Sequence, residues 1–267
     1  MSAGPKKTSV RSMRYGHPVH GPDAVLSVQF APEGTRAREI KTRSKTKASG
    51  AYPSFRMRRM IHWESEGERN VIKIFDADAS VFSLAEQACV VVYRLGGEIH
   101  RHFPDLLVVR LANKRLVEVK TEVESRDPEV SARTELMRRE LPRFGYDYDI
   151  VLSEDAARQP RLRNVEFVLR FGRTDIDLVE REQLRQYLQD RDSVQWADVV
   201  GGLAGVLTTG RACRLILEGT LSIDFNLLWS QRDVTLRRIA SRSEQAVSIC
   251  DEERLARQCG DAGCADE

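Results

Sequence analysis

His102-Phe103-Pro104-Asp105-Leu106-Leu107-Val108-Val109, answered by Val117-Glu118-Val119-Lys120, is the stretch on which the fold turns. It reads as two adjacent β-strands: an apolar, β-branched run, a turn at Asn113-Lys114, and a second such run. One residue separates Glu118 from Lys120, so in a strand both side chains leave by the same face. If the strands pair, Asp105 joins them. Two carboxylates and an ammonium on one sheet face are costly in a folded core. They acquire a purpose if the carboxylates hold a divalent cation and the lysine faces a phosphate or a nucleophilic water. The backbone carbonyl of Val119 is a further candidate ligand. A plainer reading stays open: Val117, Val119 and Thr121 inward with Glu118 and Lys120 outward make an ordinary amphipathic strand. Asp105 after Pro104 is equally a strand-entry turn residue.

Upstream, residues 64–76 are expected to form the first helix. Ser65 is a good N-cap and Glu68 stands three residues on, the spacing of a capping box. Val71, Ile72 and Phe75 give it a core-facing stripe. Glu68 thus has two roles open to it, helix cap and third carboxylate of the site. Glu64 and Glu66 read as first-turn helix charges. Val81 to Leu84 is expected as a short strand, and Cys89 to Thr121 as a β-meander turned at Gly96-Gly97. Asp105 to Leu111 reads as a strand buried on both faces. Asp127-Pro128 starts a helix running to about Leu141, and Tyr148 to Leu152 returns as a strand. His100 and His102 share a strand face, but no third soft ligand lies nearby, so they read as ordinary strand histidines.

The segment Ala156–Arg163 is expected to be a linker. Beyond it come three helices: one from Leu178 to Leu188, one capped by Ser193 and holding Trp196, Val199, Val200 and Leu203, and one from Arg211 to Glu218 stopped by Gly219. With a short β-pair at Leu221–Ile223 and Val234–Ile239, they suggest a winged-helix module.

The net charge of +2 conceals an asymmetry: residues 1–60 hold thirteen Lys and Arg against three Asp and Glu, a surplus of ten, which leaves the remainder at −8. Such an arm ahead of an acidic body suits a polyanion, most simply nucleic acid. Lys41, Arg43, Lys45 and Lys47, then Arg56, Arg58 and Arg59 interleaved with Phe55, Met57 and Met60, are the candidate contacts to a DNA backbone; equally, the arm can wrap its own domain. No run of about eighteen apolar residues predicts a membrane span, and the basic N-terminus lacks the apolar core of a secretory signal. Five cysteines without framework spacing suit reduced thiols, and Cys259 and Cys264 lack a second pair for zinc. No phosphate-binding loop, dinucleotide fingerprint or nucleophile elbow occurs.

The run from Glu64 to Gln87, with Ser-x-x-Glu on a helix, a short link, a strand and Glu-Gln, resembles the opening of the TnsA-type transposon endonucleases. Phe103-Pro104-Asp105 and Glu118-Val119-Lys120 follow in the family's order, and Arg43-Ser44 and Gly50-x-x-Pro-Ser54 resemble its N-terminal approach. The resemblance covers about residues 35–155. It implies an α/β fold: a restriction-endonuclease-like core, a central mixed sheet flanked by helices, over 61–160. A basic arm (1–60) would precede this core; a winged-helix-like domain (165–240) and a tail (241–267) would follow. It implies that Glu68, Asp105 and Lys120 are catalytic, with Glu118 at the acid-or-glutamine position, and that two Mg²⁺ or Mn²⁺ ions bind. Its implied partners are double-stranded DNA at transposon ends, a DDE-type transposase and, further out, an AAA+ transposition regulator. The transposase would cut and join the 3′ ends while this subunit nicks near the 5′ ends. The implied setting is the bacterial cytoplasm, at the nucleoid during transposition. Gly67 replaces the family's apolar residue, which is expected to loosen the helix start by about 1 kcal/mol, and Ala88 follows Gln87 where Pro or an aromatic is common. A stand-alone restriction or repair nuclease of the same fold is the alternative, and a non-catalytic DNA-binding assembly protein the third reading.

Overall fold

Gly96 and Gly97, both at positive φ, fold Cys89–Leu95 back onto Glu98–His102 as a tight hairpin. The computed structural model describes residues 11–12, 23–32, 36–37, 48–231 and 233–239. The architecture is mixed α/β, with several sheets and helices. Two compact units share the chain, residues 1–170 and 171–267.

The first unit runs β1 (Arg11–Ser12), β2 (Ala24–Phe30), β3 (Gly50–Pro53), β4 (Met60–Trp63), α1 (Glu66–Ala77), β5 (Val81–Glu86), β6 (Cys89–Leu95), β7 (Glu98–His102), β8 (Leu106–Arg110) and β9 (Lys114–Lys120). The short α2 (Glu122–Ser125), α3 (Pro128–Glu140), a 3-10 turn at Leu141–Phe144, β10 (Asp147–Leu152), the short α4 (Ser153–Ala156) and α5 (Arg161–Phe171) follow. One antiparallel sheet has the order β1-β2-β6-β7. The second has the order β10-β9-β8-β5, with β10 parallel to β9 and the other pairs antiparallel. Val25, Val28, Val91 and Tyr93 of the first sheet and Leu116 and Tyr148 of the second enclose one core with Leu136 and Met137 of α3. Cys89 lies in that core, and burial pushes its thiol up to about 12.

Three expectations are corrected. The single meander is two hairpins in two sheets, β6–β7 and β8–β9. Phe103-Pro104 separates them, and Pro104 has no N–H to give a ladder. The strand expected over Asp105–Leu111 starts at Leu106 and ends at Arg110, and Leu111 is exposed. Within the basic arm, Ala24–Phe30 pairs with β6, with Ala24, Val25 and Val28 buried. The expected linker is instead a short turn, residues 157–160, between the end of α4 and the start of α5. Lys41–Lys47 and the tail from Ser241, with Cys259 and Cys264, lie outside the described residues.

The β3–β4 hairpin is tied to α1 through Asp76, which is fully buried. Its carboxylate accepts from Tyr52 Oη (2.7 Å), Ser54 Oγ (2.5 Å) and the backbone N–H groups of Phe55 (2.8 Å) and Arg56 (3.0 Å). An ion so far inside is tolerable because every lone pair is met.

In the second unit, α6 (Leu178–Gln189) begins with a capping box from Asp177, and β11 (Ser193–Gln195), α7 (Trp196–Val200), α8 (Thr209–Glu218), β12 (Leu221–Ser222) and β13 (Thr235–Arg238) follow. The strands form one antiparallel sheet, β11-β13-β12. Ser193 is strand rather than helix cap; Gln195 stands before α7, and Leu203, beyond its end, is exposed. Gly219 stops α8 in the left-handed conformation, as its spacing predicts. Among the described residues no helix is long and apolar enough to cross a membrane.

Candidate active site

The β8–β9 register pairs Leu106 with Val117, which carries Asp105 to the place across from Glu118. The Asp105 carboxylate then turns to accept the Val119 N–H at 2.7 Å. Glu68 arrives from the first turn of α1. That helix approaches closely because residue 67 is glycine: a Cβ there would stand 2.7 Å from Ser153 Cβ and 3.4 Å from Val119 Cγ1. Glycine there lets the helix start seat against Val119 of β9 and Ser153 of α4, a role that its effect on helix propensity did not suggest.

The Ser65 cap forms as predicted, with Ser65 Oγ accepting the Glu68 N–H at 3.1 Å. The reciprocal arm differs by one residue: Glu68 Oε2 takes the N–H of Glu64 at 2.8 Å, and Oε1 accepts from Ser65 Oγ at 3.2 Å. Glu68 is both part of the helix start and an acid of the site.

Glu118 is only 4% exposed, which overturns the outward alternation for this strand. Its carboxylate lies 2.8 Å from Lys120 Nζ, 3.2 Å from His102 Nε2 and 3.6 Å from Arg133 of α3. His102 Nε2 also stands 3.0 Å from the Tyr148 hydroxyl. Glu118 Oε2 is buried without a hydrogen bond of acceptable alignment. Burial alone would push Glu118 up, but His102 and Lys120 beside it outweigh that and hold it below the usual carboxylate range. Desolvation opposes charge on Lys120, and Glu118 more than restores it, keeping the ammonium charged.

The other two acids move the opposite way. Burial, then the charges of Glu118 and Glu68, lift Asp105 well above its ordinary value against the Val119 N–H and Lys120. Burial is also the main cause for Glu68, with the charges of Glu64 and Glu118 adding to it and hydrogen bonds from Glu64 and Ser65 opposing. Burial first, and the neighbouring acids second, thus disfavour charge on Asp105 and Glu68.

Among the described residues no group of three or more His, Cys, Asp and Glu side chains forms a ready-made metal cage. The donors present nevertheless fit an ion such as Mg²⁺, which binds through one or two carboxylates and keeps several waters. The observation behind that fit is that Asp105, Glu68 and Glu118, from three different elements, lie close enough for their charges to act on one another.

Of the candidate DNA contacts, Lys41, Arg43, Lys45 and Lys47 lie outside the described residues. Arg59 gives both guanidinium nitrogens to buried Glu86, at 3.1 and 2.7 Å, and Arg56 donates to the Asp76 carbonyl at 3.3 Å. Both hold the protein's own fold, the second role open to the arm, whereas Arg58 is exposed. His100 stacks on Tyr93 and is no part of the acidic site. His102, Arg133, Tyr148, Glu64 and Gln87 are neighbours that the sequence reading did not place there. His102 is the one buried residue of β7, which its sequence does not mark, and Arg133 and Tyr148 come from α3 and β10 and carry no local signal. Compared with models of known protein families and with curated proteins, the chain matches none.

Proposed function

We propose that the protein is a metal-dependent DNA endonuclease with a restriction-endonuclease-like core, hydrolysing phosphodiester bonds at the Glu68, Asp105, Glu118 and Lys120 site. One observation carries this reading: Asp105 at the start of β8, Glu118 of β9 and Glu68 of α1 are buried acids whose charges act on one another, with Lys120 2.8 Å from Glu118. Glu68, Asp105, Glu118 and the Val119 carbonyl would hold Mg²⁺ or Mn²⁺, two ions in the fullest form. A bound ion of this kind polarises a phosphoryl oxygen and lowers the pKa of its water. Lys120, paired with Glu118 at 2.8 Å, is held as an ammonium and suits offsetting phosphate charge rather than taking a proton. Val119 N–H fixes the Asp105 carboxylate, and the Ser65 cap fixes Glu68.

The finer reading is a subunit of a cut-and-paste transposon that nicks near the 5′ ends beside a DDE-type transposase. It rests on the resemblance of Glu64–Gln87, Phe103-Pro104-Asp105 and Glu118-Val119-Lys120 to the TnsA-type endonucleases. The second unit supports it: three helices with the sheet order β11-β13-β12 suit a winged-helix-like module for duplex DNA. Supercoiled plasmid incubated with the protein and Mn²⁺ is expected to be nicked, most on DNA carrying the element's ends with the transposase present. Asp105→Ala should abolish nicking without changing the circular dichroism spectrum. Nicking that persists in that variant, or in excess chelator, overturns the site. A transposase gene beside this one is expected, and its absence would favour the stand-alone nuclease.

A further inference from the structure

Gln87, between β5 and β6, has a φ of +43°, one of two non-glycine residues in the left-handed region among those described. It is also buried, at 5% exposure, and its Oε1 has no hydrogen-bond partner. Glycine would hold this turn without strain, so the side chain calls for a reason of its own. Its bonds supply one. The Gln87 N–H donates to the Asp105 carbonyl at 2.8 Å. Its Nε2 donates to Glu64 Oε1 at 3.2 Å, and the Glu64 N–H donates to Glu68 Oε2 at 2.8 Å. A single residue thus connects the start of β8, which carries Asp105, to the approach of α1, which carries Glu68. The turn itself is anchored from the other side: Glu86 accepts from Arg59 and from the His62 N–H, and the Gln87 carbonyl accepts the Ala37 N–H at 2.9 Å.

We propose that Gln87 is a positioning residue that sets the Glu68 carboxylate against Asp105 through Glu64, making Glu64 a supporting acid of the same site; this rests on the metal-site reading above. A residue needed only for the turn would be replaceable by glycine at no loss.

The test uses the full chain, with Mn²⁺ as probe, calorimetric titration for affinity, thermal melting in chelator for fold, and amide exchange at Glu64. Gln87→Gly should melt no lower than the wild type, because strain is relieved, yet bind Mn²⁺ about tenfold or more weakly and exchange the Glu64 amide faster. Glu64→Ala should weaken Mn²⁺ binding similarly. Glu64→Gln, which keeps an oxygen to accept from Gln87, should stay close to wild type. The double variant Gln87→Gly with Glu64→Ala should be no worse than either single change. Wild-type Mn²⁺ affinity in both Gln87→Gly and Glu64→Ala overturns the inference alone. A wild-type protein that takes up no Mn²⁺ overturns the metal reading and this inference with it.

Discussion

Replacing Asp76 by Asn tests how the β3–β4 hairpin is held to the helix that presents Glu68. The buried carboxylate receives Tyr52 Oη and the Phe55 N–H on one oxygen, Ser54 Oγ and the Arg56 N–H on the other. An amide keeps one acceptor oxygen and turns an NH₂ toward the other pair. The hydroxyl of that pair can rotate to accept, but its backbone N–H cannot. One buried N–H is then orphaned, which costs about 1–3 kcal/mol. The remaining bonds lose their charge assistance, roughly halving each and removing about 2 kcal/mol more. The sum is about 3–5 kcal/mol against the first unit. For a unit of this size each kcal/mol lowers the melting midpoint by about 2–4 °C, so a fall on the order of 10 °C is expected. Urea denaturation read by far-ultraviolet circular dichroism gives the free energy, and Asp76→Ala should cost no less than Asp76→Asn. A loss below about 1 kcal/mol for Asp76→Asn, within the range of an ordinary surface change, would refute the reasoning.

Asp105→Asn should remove a pH dependence of stability. The folded Asp105 holds its proton above the ordinary carboxylate value because of burial and the charges of Glu118 and Glu68. Its contribution to stability is therefore fully present below about pH 3.9 and lost as pH rises through the folded value. In chelator the wild type should weaken relative to Asp105→Asn as pH rises above the ordinary carboxylate value, Mn²⁺ should rescue only the wild type, and its uptake should release protons and tighten with pH. Parallel melting profiles in chelator for the two proteins would count against the acidic cluster. Gly67→Ala should destabilise by about 1–2 kcal/mol despite alanine's better helix propensity, since overpacking against Ser153 opposes it. Nicking should fall with it, and adding Ser153→Gly should recover both; a Gly67→Ala protein more stable than wild type would show that the helix start is not seated there.

Local chemistry was readable from the residues alone. Gly96-Gly97 marked a hairpin, Asp127-Pro128 a helix start, Ser65 a cap and Gly219 a helix stop, because each acts within a few residues of itself. Asp105, Glu118 and Lys120 could be picked out by spacing, but an amphipathic strand with Glu118 in water fitted the same letters. Burial settled that point: β9 lies between β8 and β10 with α3 over it, so alternation could not tell which face was wet. Which sheet a strand joins was equally invisible. The pairing of Ala24–Phe30 with β6, and the break at Phe103-Pro104, depend on partners distant in sequence. Asp76, read as a helix end, proved a buried hub because the β3–β4 hairpin brings four donors to it. His102, Arg133, Tyr148 and Gln87 meet the acids only once two sheets, α1 and α3 are packed. Residue type and short-range spacing thus determined which groups could do chemistry. The tertiary fold decided which of them lose water together, and desolvation is what turns separate charges into a site.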